Sequence, residues 1–259
     1  MHVFSRREAQ VTGHVLPVLL VLVGYFSWDF SLFLRNVGTA FVYLSVFNIA
    51  GSLVTQILAR SLGGRIQEDR GKDLTLRAIY ESERALFVVA TLAAWPMTRE
   101  AVGLETAFKG SLAEASWQGS PWIYMIKVVA GLMGADAWNY WKHRTLHNKA
   151  LWAFHQIHHT FRDPTAFVGF AIHPVEALAT FFPILFVCVP QIALWMPLHA
   201  PFIIGFIILN FYLHCGYEVD IVERILPRFF INTSVFHNKH HAKTVTHFGE
   251  MFSLWYVCV

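Results

Sequence analysis

Asp136 to His159 reads DAWNYWKHRTLHNKALWAFHQIHH, and this stretch decides what kind of fold to expect. An apolar, aromatic approach gives way after Trp141 to a run of imidazoles: His143 and His147, then His155, His158 and His159. Five histidines fall within seventeen residues. The spacing H-x-x-H-H of the second cluster returns at His237, His240 and His241. On a helix, positions i, i+3 and i+4 share a face, so each such box is expected to aim three imidazoles at one point. Imidazole is the commonest metal ligand and suits iron, zinc and copper. Eight such ligands are too many for one ion and point to a metal pair.

Working outward, the whole chain has the composition of a membrane protein. Of its 259 residues, 55% are hydrophobic and only 14% charged, and the mean hydropathy is +0.45, well above the soluble range. Phenylalanine (23) and tryptophan (9) are abundant, as lipid-facing and interfacial positions require. A net charge of +3 without a basic stripe argues against nucleic acid as a partner. Cys188, Cys215 and Cys258 form no C-x-x-C pair, so the ligand set is nitrogen-rich and sulfur-free, unlike a zinc finger or an iron–sulfur site.

Six apolar runs are read along the chain: about Val15 to Leu34, Thr39 to Ala59, Ala85 to Met97, Pro121 to Trp141, Ala177 to Pro197 and Phe202 to His214. Several are shorter than a usual span of about 20 residues, so four full spans is the fallback. The first run is too long for the apolar part of a cleaved leader and is read as a retained span. With the N-terminus in the cytosol, sixteen of the twenty Lys and Arg fall on cytosolic segments, including six between Arg60 and Arg84. The same threading puts all three histidine clusters, and both termini, on the cytosolic side. The sequon Asn232–Thr233–Ser234 is then idle, and Lys127 is expected to snorkel or to find a partner. The fold expected is all-α: a membrane helical bundle of four to six hydrophobic segments with a histidine-rich helical cap holding a di-metal site. It is read as one membrane domain, residues 1–259, with anchor spans over 1–135 and the histidine boxes over 136–259. The compact chain leans towards a bacterial inner membrane rather than the ER.

Around the boxes, Asp136, Tyr140, His143 and His147 form one helical stripe. Asp136 is expected either to accept the second ring N–H of a ligand histidine or to be a satisfied helix polar group. Tyr140 and Glu176 are further candidates to support the ligands. His214, at the end of the sixth run, is read as a ligand from another helix in preference to an interfacial side chain at the membrane mouth. His173 is open between ligand, supporting donor and turn residue, and His247 is similar. His2, His14 and His199 are isolated and bland. Residues 221–236 are read as an amphipathic helix on the membrane surface. Phe229 and Phe230 are expected to line an apolar passage between it and spans four to six, or else to seat that helix in the interface. Two other classes of function make different demands on the sequence. A zinc-dependent membrane hydrolase would need an H-E-x-x-H general base, and no Glu sits inside any box. A haem or metal carrier would place single histidines within facing spans, whereas these cluster outside them.

The ordered set Asp136, His143–Arg144, His147, Trp152, His155–Gln156–Ile157–His158–His159, His173–Pro174, Glu176, His214, His237–Asn238–Lys239–His240–His241, Phe248–Gly249 and Trp255 resembles the fatty acid hydroxylase/sterol desaturase superfamily over nearly half the chain. That resemblance implies an integral-membrane oxidoreductase with two iron ions (zinc accepted in purified protein) and O2 as co-substrate. It implies hydroxylation or desaturation of an unactivated C–H position of a lipid: a sterol, fatty acyl chain, sphingolipid, carotenoid or aminolipid. Electrons would come from a separate carrier of cytochrome b5 or ferredoxin type. The metal ligands implied are His143, His147, His155, His158, His159, His214, His237, His240 and His241, with His173 and His247 as possible extras. Two departures stand out. His247–Phe248–Gly249 replaces the usual Asn-Tyr/Phe-Gly, and Tyr256–Val257–Cys258–Val259 stands where members continue into Leu-Phe-Gly-Thr, as an altered or truncated tail.

Overall fold

The computed structural model describes residues 4–68, 73–116 and 120–256. His2, Arg70, Lys72 and residues 257–259, Cys258 among them, lie outside the described residues. The chain is predominantly helical, and its only named sheet among the described residues is a two-stranded antiparallel pair, β1 (Gly64–Arg65) with β2 (Tyr217–Glu218).

Helix α1 (Arg6–Ser27) begins at a capping box in which Ser5 and Glu8 satisfy each other's backbone N–H. The first apolar run does not continue to Leu34 as expected. It breaks at Trp28, and Asp29 caps the start of α2 (Phe30–Leu62) by accepting from the Leu32 N–H. A short capping carboxylate inside an apolar run is enough to restart a helix. The two helices then fold back tightly, because a Cβ on Gly24 would lie 2.1 Å from the Phe33 ring. At 33 residues α2 is about 50 Å long, more than a bilayer core requires, and it contains the whole second run.

Helix α3 (Thr75–Ala101) carries charge in its first half and the third apolar run in its second. It packs along α2 through Phe41 on Phe87 (5.8 Å between ring centres), Phe33 on Trp95 (6.1 Å) and a bond from Asn36 Nδ2 to Thr98 Oγ1 of 2.9 Å. Its residues Val88, Ala90, Leu92 and Ala94 are buried, so this helix sits inside the bundle. After the single turn α4 (Leu112–Ala115), α5 (Pro121–Leu146) starts with Ser120 as cap and Pro121 at the first position. It exposes Trp122, Met125, Ile126 and Val129. Lys127 finds its partner in the Ala193 carbonyl, 2.6 Å away.

The fifth run is not one helix. Pro183 and Pro190 divide it into α7 (Pro174–Phe181) and 3-10 turns at Phe182–Cys188 and Pro190–Ile192. Helix α8 (Met196–Leu213) then returns to the histidine end and starts earlier than the sixth run suggested. At the opposite end, Ala107 N–H donates to Val187 O and Trp195 N–H to the Tyr124 hydroxyl. The starts of α1 and α3 and the ends of α2, α5 and α8 thus meet at one end of the bundle.

Residues 221–236 are not the continuous amphipathic helix expected. Helix α9 (Asp220–Ile225) passes into a 3-10 turn at Leu226–Phe229, and Phe230 takes a left-handed conformation (φ 59°). Pro227 and that turn end the helix, and α10 (Ser234–Lys243) starts anew. Among the described residues three helices, α1, α2 and α8, are long and apolar enough to cross a membrane by length and composition. The remaining runs are shorter, broken by proline, or carry more polar residues.

Candidate metal centre

His143 sits on the last turn of α5 and His147 caps its C-terminus. The second box is an α-turn, α6 (Trp152–His155), followed by a 3-10 turn at His158–Thr160. The third lies on α10. His214 caps the C-terminus of α8. Four separate stretches therefore deliver all nine histidines to one place, and all but His147 are buried there.

They form two groups: His143, His147, His155, His159 and His240 in one, and His158, His214, His237 and His241 in the other. Neither H-x-x-H-H box aims at one point, as the spacing suggested. His155 and His159 serve the first group while His158 serves the second; His237 and His241 serve the second while His240 serves the first. The helical angle explains the division. Residues i and i+4 lie about 40° apart around the axis, and i+3 lies about 60° to the other side. Each box thus spans two adjacent centres, and the two boxes face each other with their roles exchanged.

Within each group the Nε2 atoms converge. His159 Nε2 is 3.0 Å from His155, 3.1 Å from His147 and 3.2 Å from His240. His143 and His147 are 3.3 Å apart. In the second group His214 Nε2 is 2.9 Å from His237 and 3.4 Å from His158. Five of the opposite nitrogens are tied down, while Nδ1 of His158, His159 and His237 has no hydrogen-bond partner among the described residues. Nδ1 of His143 donates to Phe248 O (3.0 Å), that of His214 to Asn210 O (2.8 Å), that of His240 to Thr246 O (2.6 Å) and that of His241 to Phe161 O (3.0 Å). Nδ1 of His155 donates to the Glu176 carboxylate at 2.8 Å. A neutral imidazole that donates from Nδ1 has a lone pair at Nε2. Lone pairs converging at such distances repel unless a cation lies among them. Nitrogens about 2.0–2.1 Å from a shared ion would be about 3.0 to 3.4 Å apart, as seen. His241 Nε2 is buried and has no hydrogen-bond partner among the described residues. The residues fit a pair of nitrogen-ligated metal ions.

Of the supporting candidates, only Glu176 reaches a histidine of the two groups. Asp136 instead accepts from the N–H groups of Met251 and Phe252 (both 3.2 Å) and from Trp255 Nε1 (2.6 Å), anchoring the C-terminal segment. The Tyr140 hydroxyl accepts from Arg144, and its ring stacks on Trp255. Both point away from the imidazoles because the stripe on α5 divides its last turns between two neighbours. His173 caps α7, its Nδ1 accepting from Val175 N–H and its Nε2 donating to Ala9 O at 2.8 Å, so it stands outside both groups. His247 also lies outside them, with Nδ1 on Thr246 Oγ1 and its ring against Phe236. Phe229 and Phe230 are exposed and are not among the residues that line the cavity beside His158 and His214. That cavity, about 40 Å3, lies between α5, α7 and α8 and is walled by Phe170, Ile172, Phe181, Phe206 and Leu213. Sequence reasoning missed Glu250, which lies 3.7 Å from His143 Nδ1 and 3.3 Å from Lys142 Nζ. Its partners are over a hundred residues away, and no spacing rule finds such a pair.

Burial pushes His158, His237 and His241 well below the ordinary imidazole value, and the facing imidazoles add to the effect. Burial also takes His240 down to about 3, although the Thr246 carbonyl works the other way. All four are then neutral at pH 7, the state a metal ligand needs. An unfolded chain takes up these protons near pH 6.5, at about the usual value for histidine. Below that pH the unfolded state holds more protons than the folded one. Stability is therefore undiminished above about pH 6.5 and falls as the pH drops below it. Metal-stripped protein should lose melting temperature steadily from about pH 6.5 to 4.5; a flat profile would contradict the buried neutral assignment. Removing the Glu176 carboxylate as Glu176→Ala should weaken metal binding by about 10- to 100-fold, with partial recovery in Glu176→Gln. Titration against a competing chelator reads this directly, and unchanged affinity would remove Glu176 from the centre.

The fatty acid hydroxylase family profile matches residues 128–258, a region that holds all nine histidines. The chain belongs to the fatty acid hydroxylase family. Among its relatives, lathosterol oxidase of Mus musculus is 31% identical over 137 residues, covering 52% of this chain and 44% of that protein. Methylsterol monooxygenase 1 of Gallus gallus is 28% identical over 125 residues, 46% of this chain and 40% of the relative. Sphingolipid C4-hydroxylase of Saccharomyces cerevisiae is 30% identical over 142 residues, 50% of this chain and 38% of the relative. The chain thus matches less than half the length of each of these relatives. No solved structure matches it.

Proposed function

We propose that this member of the fatty acid hydroxylase family is a membrane oxidoreductase that uses two irons, O2 and external electrons to hydroxylate or desaturate a lipid. The observation that carries the reading is the convergence of nine Nε2 atoms into two adjacent groups, most with the opposite nitrogen held by a carbonyl or carboxylate. Nine neutral ligands leave an iron pair electron-poor, which suits it to reductive activation of O2 for attack on a C–H bond. The balance is R–H + O2 + 2e− + 2H+ → R–OH + H2O for hydroxylation; desaturation removes two hydrogens and releases two waters. The protein's own task is placement and exclusion of water. Phe170, Phe181 and Phe206 form the apolar wall of the cavity beside His158 and His214, and a lipid chain would reach the histidines past these rings. The names of the relatives favour a sterol or a sphingolipid as the lipid.

In this reading the chain is one membrane domain with six segments threading the bilayer and a histidine-rich cap on the cytosolic side. Both termini are cytosolic, and a bacterial inner membrane is favoured over the ER. Arg6, Arg7, Arg77, Arg144 and Lys149 at the histidine end support this orientation. Electrons come from a separate cytochrome b5- or ferredoxin-type carrier. The test compares lipid extracts of cells with and without the chain, grown under 18O2. Gain of one labelled oxygen, or loss of two hydrogens, in a membrane lipid is the expected result; identical lipid profiles in iron-replete cells would contradict the proposal.

A further inference from the structure

A second cavity, of about 770 Å3, opens on the other side of the second histidine box. Arg6, Arg7, Arg77 and Arg84 line it, and Trp152 and Gln156 of the box form part of its wall. The positive charge is largely uncompensated. Arg84 pairs with buried Glu81 at 2.8 Å, whereas Arg6, Arg7 and Arg77 are exposed and have no hydrogen-bonded or ion-paired partner among the described residues. Their placement also runs against local preference. Arg6 and Arg7 open α1, and Arg77 lies in the first turn of α3, where the helix dipole disfavours cations. The positive-inside bias places basic residues at this end of the bundle, and packing gathers Arg6, Arg7 and Arg77 around one cavity without a paired anion.

The lip of the cavity says what kind of ligand. Val11 lines it and is exposed, and Val15 and Val18 continue as exposed apolar residues along α1, one of the three membrane-crossing candidates. A basic pocket at the end of an apolar, lipid-facing helix matches an amphipathic anion, with the charged end among the arginines and the chain along α1. The concave volume is also that of a small-molecule site, not of a flat protein-docking face. We infer that this cavity binds the phosphate of an anionic membrane phospholipid, at a site separate from the apolar cavity beside His158. Arginine forks suit phosphate oxygens. The bound headgroup would join α1, α3 and the second histidine box, because Trp152 also packs against His147 and His159 with ring centres 5.3 and 5.4 Å away.

The proposal goes beyond the oxidase reading and is tested without turnover. Full-length protein in neutral detergent is titrated with phosphatidylglycerol, phosphatidylcholine or inorganic phosphate. Bound lipid is read by native mass spectrometry and melting by intrinsic fluorescence. Saturating phosphatidylglycerol should raise the melting temperature by about 5 °C; phosphatidylcholine and inorganic phosphate should not. Each of Arg6→Gln, Arg7→Gln and Arg77→Gln should weaken phosphatidylglycerol binding about fivefold, and the triple variant on the order of a hundredfold. Metal content should stay at the parent level, which separates this site from the metal centre. An equal response to phosphatidylcholine, a response to phosphate alone, or full affinity in a triple variant that still holds its metal would overturn it.

Discussion

Alanine at either His240 or His158 should abolish lipid turnover, and the two variants should fail differently. His240 belongs to the five-histidine group and His158 to the four-histidine group. Each substitution removes one convergent nitrogen and leaves its neighbours turned towards the gap. Metal bound through the affected group should drop out first, and that through the other group should persist. Quantifying metal per chain after iron loading, alongside product formation, distinguishes the two cases. Normal metal content and turnover in both variants would show that these imidazoles are not ligands.

The second large effect should come from a residue that touches no histidine of either group. Asp136 is buried and accepts two backbone N–H groups and the Trp255 indole. Asp136→Ala strands those donors and removes a buried acceptor, a loss on the order of 4 kcal/mol. The segment it anchors also contains Thr246 and Phe248, whose carbonyls hold Nδ1 of His240 and His143. Thermal unfolding should therefore move down sharply, with reduced metal retention. Asp136→Asn, which keeps one acceptor oxygen, should lie between. A variant with parental melting and parental metal content would show that the anchor does not matter.

The helical class was legible because apolar runs of this length, with arginines massed at one end, admit few other folds. Eight of the nine histidines were legible as a set for a similar reason: the boxes repeat, and repetition at helical spacing is visible without a structure; His214 stands outside the boxes and was suggested only by its place at the end of an apolar run. Their division into two groups was not read, although the angle between i+3 and i+4 contains it, because the partner of each imidazole comes from another box. Asp136 and Tyr140 were drawn towards the histidines by sharing their stripe, yet a helix stripe at a bundle end faces more than one neighbour. The break at Asp29 was hidden inside an apolar run, and the turn at Phe230 inside an amphipathic pattern. The basic cavity was invisible too, since Arg6, Arg77 and Trp152 are brought together only by packing α1, α3 and α6.

In the proposed function nine histidines hold two ions in two unequal nitrogen cages. Anaerobic loading of purified, metal-stripped protein with 57Fe, followed by iron analysis and Mössbauer spectroscopy, tests it most directly. Two irons per chain, in two doublets of equal area, are the expected result. One iron per chain, or iron removed by a simple desalting step, would contradict it.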